Sequence, residues 1–84
     1  MSKVSMYCTR ACPYCQMAVR LFEKKGVDIN KIQIDEEPDK KQEMVDRTGQ
    51  YTVPQIYIGD THVGGYMDLA ELDMDGELDP MLSA

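Results

Sequence analysis

The chain reads as an α/β protein, a small four-stranded mixed sheet flanked by helices in the order βαβαββα. Three observations predict it. An alternating run over Lys3–Cys8 is followed by apolar residues at helical spacing over Pro13–Lys25, and then by a second alternating run. Strand, helix and strand in that order require a right-handed crossover with the two strands parallel. Further on, two apolar runs flank Gly59-Asp60, a two-residue hairpin signal that adds an antiparallel pair. With 84 residues and 43% hydrophobic content there is room for one domain, spanning 1–84.

In the first strand Val4, Met6 and Cys8 share one face, and Ser5, Tyr7 and Thr9 the other. The helix after it carries Tyr14, Ala18, Leu21 and Phe22 on one stripe, broadened by Met17, and Gly26 is placed to close it in a left-handed cap. The second strand covers Val27–Ile34, with Val27, Ile29, Ile32 and Ile34 as its buried positions. Asn30-Lys31 interrupts that alternation, which predicts a bulge or a late start. Glu37-Pro38 opens a second helix, with Met44, Val45, Lys41 and Thr48 inward and Gly49 at its end. It is poor in apolar residues and is expected to be the more exposed of the two. Val53–Ile58 and Thr61–Val63 form the hairpin, closed by Gly64-Gly65. Leu69, Leu72 and Met74 predict a short last helix stopped near Gly76, with Leu78, Met81 and Leu82 packing the tail back.

Charge narrows the function. A net charge of −6 argues against nucleic acid, whose phosphates need a basic surface. The acids gather at Asp35-Glu36-Glu37 and between Asp68 and Asp79, and serve solubility. Near the first cysteines the charge is positive, from Arg10 and Arg20. Nothing reads as a membrane span, and Met1–Tyr7 lacks the apolar core of a secretory signal, which predicts a cytoplasmic protein.

The chemistry centres on Cys12-Pro13-Tyr14-Cys15. A C-x-x-C between a strand and a helix is the sequence form of a thiol redox centre. Placed at the helix cap, Cys12 lies beside unpaired N–H groups and the positive end of the helix dipole. Those groups favour a thiolate, with a pKa expected below the free value of ~8.5. Pro13 suits the first helical position because its missing N–H costs nothing there. Cys15, one turn on, is close enough to attack a mixed disulfide on Cys12. A zinc site would need Cys8 and His62 as further ligands, and no second C-x-x-C supports one. Cys8 reads as a small buried hydrophobe, His62 as a surface or hairpin residue, and the seven methionines as core filler. Pro54 has a plain reading as an edge-strand proline, Asp68 as the N-cap of the last helix, and Tyr51 as a groove wall or a strand residue.

Four separated motifs carry a resemblance: Cys12-Pro13-Tyr14-Cys15, Thr48-Gly49-Gln50, Thr52-Val53-Pro54-Gln55-Ile56 and Gly64-Gly65-Tyr66-Met67-Asp68. In this order, from about Val4 to Leu82, the chain resembles a glutaredoxin of the small bacterial dithiol type. The resemblance implies a thioredoxin-like fold that reduces protein disulfides and glutathione mixed disulfides, with glutathione as co-substrate and no bound cofactor. Cys12 would be the nucleophile and Cys15 the resolving thiol. Val53-Pro54 would be a cis bond facing the site, with the Val53 backbone on the cysteinyl part of glutathione. Gly65 and Asp68 would hold its γ-glutamyl end, Gln50 its glycyl end, and Tyr14 the groove border, with Thr52 in the adjoining segment. Implied partners are disulfide-containing or glutathionylated proteins, with ribonucleotide reductase a candidate, and a monomer is expected.

Three departures from the family pattern bear on glutathione binding rather than on the reaction. Thr9 stands where relatives often carry a lysine, with Arg10 next to it as a substitute charge. Tyr51 replaces a basic residue, and Met67 replaces a hydroxylated or small one, leaving only its backbone to offer. Two other readings stay open: a redoxin of the same fold fed by thioredoxin reductase, and a glutathione-ligated iron–sulfur cluster carrier. The stiffening Pro13 speaks against the second.

Overall fold

The structure, a computed structural model, describes residues 3–83. Strand β1 (Val4–Cys8) lies inside a four-stranded sheet, with a neighbour on either side. Helix α1 (Pro13–Lys24) carries the chain over to β2 (Ile29–Gln33), which runs parallel to β1. Helix α2 (Pro38–Thr48) then leads to β3 (Gln55–Ile58), antiparallel to β1, and β4 (Thr61–Gly64) returns beside β3. Helices α3 (Tyr66–Met74) and α4 (Leu78–Ser83) complete the fold.

Both faces of β1 are covered, so period-2 alternation sorts its side chains between two cores. Val4, Met6 and Cys8 meet Cys15, Ala18 and Phe22 of α1, together with Leu69, Leu78 and Leu82. Tyr7 points the other way, to Met44 of α2, Ile34 and Tyr57. The first core is the larger because three helices share it. Of α2 only Met44 is fully buried, in keeping with that helix's polar composition.

Several boundaries differ from the sequence expectation. β2 keeps to it: it takes the late start, at Ile29, and pairs with β1 without a bulge, and an irregularity falls in β4, where the pairing shifts between Ile56 and Tyr57. β3 begins at Gln55, after the proline that cannot donate to a ladder. The tail is not a plain strap but α4, which buries Leu78 and Leu82 against the first core. Lys41, expected inward on α2, is exposed. Its place against the sheet is taken by Arg47, whose guanidinium carbon lies 4.1 Å from the Tyr57 ring centroid. Met17 and Met74 are exposed too: each sits off the stripe its own helix buries, at Cys15–Ala18–Phe22 and at Leu69.

Gly26 ends α1 as its position predicts, with φ at 71°. Its N–H bonds to Glu23 O and the N–H of Val27 to Phe22 O, the paired bonds of a Schellman cap. Lys25, beside it, reaches Asp73 and Asp79 at 2.7 Å each, so one ammonium ties the end of α1 to α3 and α4.

Candidate active site

Cys12 is the residue that caps α1, in extended backbone conformation, and Pro13 takes the first helical position. The Cys12 carbonyl accepts the N–H of Gln16, so the helix starts at this cysteine. Its sulfur, half-buried, makes no side-chain bond to the helix amides. As a neutral thiol it is the donor, and it donates to Val53 O at 3.7 Å.

Cys15 lies one turn on, on the sheet-facing side of α1, and is only 3% exposed. Burial pushes its thiol up to about 12; the hydrogen bond and charge of Cys12 and the charge of Cys8 add to that, and a backbone bond from Thr9 opposes it. One sulfur is reachable and the other is shielded and held protonated. Cys8 behaves as a small core residue, 2% exposed, its thiol also raised by burial. All three cysteines are free.

Beside Cys12 opens a groove of about 500 Å³. Its walls come from four elements: Tyr14 of α1, the segment Gln50–Gln55 without Tyr51, the end of β4, and the first turn of α3. Of the residues predicted from the sequence, Tyr14, Gln50, Thr52, Val53, Pro54, Gly65, Met67 and Asp68 are brought together here. The Val53-Pro54 bond is cis. Thr9 and Arg10 do not line this groove. They line a separate opening that has Cys15 in its wall, and the Arg10 guanidinium is paired with Glu36 while its backbone N–H donates to Asp35. The charge expected to stand in for a lysine at Thr9 is thus engaged elsewhere. Tyr51 is 74% exposed and belongs neither to the groove wall nor to a strand.

Asp68 is not the cap of α3. Gly65 is, and Asp68 stands at the third helical position, where Oδ2 accepts the Gly65 N–H at 3.0 Å. That contact needs the glycine before it: Gly64 has φ at 111°, and a Cβ there would lie 2.5 Å from Asp68 Oδ2. The remaining first-turn amides of α3 face the groove end with Asp68 among them, so the same corner offers N–H donors and a carboxylate.

Reading the sequence missed a second tier of support. Gln55 is buried and donates from Nε2 to Thr52 O at 3.0 Å, which pins the segment carrying Thr52 and Val53. Its Oε1 lies 2.8 Å from His62 Nε2, and the His62 ring stacks on Tyr57 at 5.0 Å. Below them Tyr7 Oη donates to Glu43 at 2.9 Å and accepts from Arg47 at 2.8 Å. A polar residue in a buried strand position must find a partner, and that was the one signal for Gln55. Nothing local pointed to Glu43 and Arg47.

A cap cysteine with an accessible sulfur, a shielded partner one turn on, and an adjoining groove define a dithiol–disulfide oxidoreductase on a thioredoxin-like fold. The glutaredoxin family model matches residues 4–63. The chain is 48% identical to a glutaredoxin of Pseudomonas aeruginosa over 84 residues, covering 100% of both. To glutaredoxin 3 of Escherichia coli it is 45% identical over 82 residues, 98% of this chain and 99% of the relative. Among solved structures, a buckwheat glutaredoxin–glutathione complex superposes with a TM-score of 0.90 at 33% identity, over 98% of this chain and 77% of that one. A glutaredoxin from Brucella melitensis does so with a TM-score of 0.85 at 43% identity, over 98% and 89%. The chain belongs to the glutaredoxin family. Its activity is glutathione-dependent thiol–disulfide exchange, and neither the reductase-fed redoxin nor the cluster carrier is favoured.

Proposed function

We propose that Cys12 is the nucleophile, Cys15 the resolving thiol, and the groove between Tyr14, Val53 and α3 the seat of glutathione, within a single domain spanning 1–84. The observation that carries this reading is the asymmetry of the two sulfurs, one accessible at a helix cap and one buried in its thiol form.

For a glutathionylated protein, Cys12 thiolate attacks the glutathione sulfur, and the S–S bond breaks to release the protein thiolate. A second glutathione thiolate then attacks the glutathione sulfur on Cys12, giving glutathione disulfide and restoring Cys12. For a protein disulfide, Cys12 forms the mixed disulfide and one substrate thiol leaves. Cys15 gives up its proton and attacks Cys12 Sγ, the second thiol leaves, and two glutathiones return the Cys12–Cys15 disulfide to the dithiol.

Within the groove, Val53 offers its backbone beside the Cys12 sulfur, and Gln50 lies toward the glycyl end. Gly65, Met67 and Asp68 suit the γ-glutamyl end, where first-turn N–H groups match a carboxylate and Asp68 an ammonium. Thr9 and Arg10 lie outside that set. The buckwheat complex supports the placement by its fold. No helix among the described residues is long and apolar enough to cross a membrane. We place the protein in the cytoplasm as a monomer, with no resident cofactor, and with ribonucleotide reductase among its candidate substrates.

The test is a coupled assay on a glutathione mixed disulfide, with NADPH, glutathione and glutathione reductase, run beside thioredoxin reductase without glutathione. Turnover only in the first is expected. Turnover only in the second would assign another electron donor and overturn the groove as a glutathione site.

A further inference from the structure

The register of the sheet sets up an anomaly at its edge. Val4, Met6 and Cys8 of β1 pair with Ile29, Lys31 and Gln33 of β2, so all six side chains point to the face that α1 covers. At one end that face is apolar, with Val4 and Ile29 in the core. At the end nearest the redox pair it turns polar: Lys31 is exposed, and Gln33 Oε1 is buried without a hydrogen-bond partner among the described residues. A side chain turned toward a core face is normally apolar, and a buried acceptor is normally satisfied. An exposed lysine is ordinary on an edge strand such as β2, but packing alone does not explain Gln33.

Helix α1 leaves that corner open, and an opening of about 270 Å³ lies there. Cys8 and Cys15 are in its wall, and three cations line it, Arg10, Arg20 and Lys31, against one carboxylate, Glu23. Arg10 is drawn off by Glu36. Neither Arg20 nor Lys31 makes an ion pair among the described residues. The groove on the other side of Cys12 has no lysine or arginine in its walls. In a chain of net charge −6, two free cations and an orphan acceptor have collected beside the redox pair.

We propose that this corner is a docking subsite for an acidic segment of the protein whose disulfide the chain reduces. Arg20 and Lys31 take carboxylates flanking the substrate cysteine. Cys15 in the wall puts the subsite next to the sulfur that Cys12 works with, while the groove opposite is left for glutathione. The inference rests on the redox reading above and adds the charge class of the protein partner.

The probes are two glutathionylated peptides of equal length with one cysteine each, flanked by aspartate and glutamate in one and by lysine in the other. Wild type is expected to favour the acidic peptide in kcat/KM by about five- to tenfold, as two partly exposed charge pairs allow. That preference should shrink with added salt and reverse in the Arg20→Glu/Lys31→Glu variant. Turnover of both peptides with the same ratio in wild type and variant would overturn the subsite alone. Turnover of neither peptide by wild type would overturn the redox reading, and the subsite with it.

Discussion

The sulfur of Cys12 lies 3.7 Å from the carbonyl oxygen of Val53, across 41 positions of sequence. The Cys12 thiol and the segment before Pro54 form one surface. Gln55 stiffens it from behind by holding the Thr52 carbonyl. The contact joins the start of α1 to the entry of β3, and it sets where a disulfide can approach.

Cys12→Ser is expected to abolish turnover of both a glutathione mixed disulfide and a protein disulfide. Cys15→Ser should keep the first and lose most of the second, since only the protein disulfide needs an internal attack. Steady-state rates on a glutathionylated peptide and on a dithiol-forming protein check this. Loss of both activities in Cys15→Ser would refute the assignment of roles.

The Cys15 thiol, pushed up to about 12 by burial, sets a pH dependence. Single-turnover reduction of a protein disulfide without glutathione should accelerate with pH through the resolving step, by up to about tenfold per unit, because the thiolate is the nucleophile. The sign for stability is opposite. The folded chain holds this proton more tightly than the unfolded one, whose thiol has the ordinary 9.0, so stability is intact below about 9 and falls from there toward about 12. Burial of Cys8 pushes the same way. Urea midpoints between pH 7 and 10 should fall in wild type and fall less in Cys15→Ala.

Asp68 has two tasks that substitutions separate. Asp68→Ala removes the acceptor of the Gly65 N–H and should cost ~1 kcal/mol of stability together with a raised KM for the glutathione adduct. Asp68→Asn keeps an acceptor and removes the charge. It should raise KM with little change in the melting temperature if an ammonium is held here.

Gly64→Ala places a methyl group against that carboxylate at φ 111°. The expected cost is ~1–3 kcal/mol, and the groove end should open, so KM rises while kcat stays near wild type. Denaturation and kinetics on the same preparation check both.

Tyr7 is fully buried with its hydroxyl between Glu43 and Arg47. Tyr7→Phe should cost ~0.5–1.5 kcal/mol, because it removes the hydroxyl that bridges Glu43 and Arg47, both of which water can still reach. Activity at low denaturant should remain, since the change lies across the sheet from Cys12.

Much of this was legible beforehand, and the reason is local. Alternation in Val4–Cys8, the helical spacing after Pro13, glycines at 26 and 49 with positive φ, and the Gly59-Asp60 turn each depend on a few neighbouring residues. So does the redox spacing of Cys12 and Cys15, which a single helical turn converts into proximity. The sequence by itself therefore determined the order of the four strands and the first three helices, both cores of β1, and the placing of Cys12 and Cys15 at the start of α1. Only the tertiary structure decided which distant groups share a surface. It turned Thr9 and Arg10 away from the groove, gave the α3 cap to Gly65 instead of Asp68, made a helix of the tail, and placed Gln55 behind Thr52. It also gathered Arg20, Lys31 and Gln33 at one corner. Such meetings depend on how helices cross the sheet and where a strand edge is left uncovered, and periodicity within one segment carries no record of them.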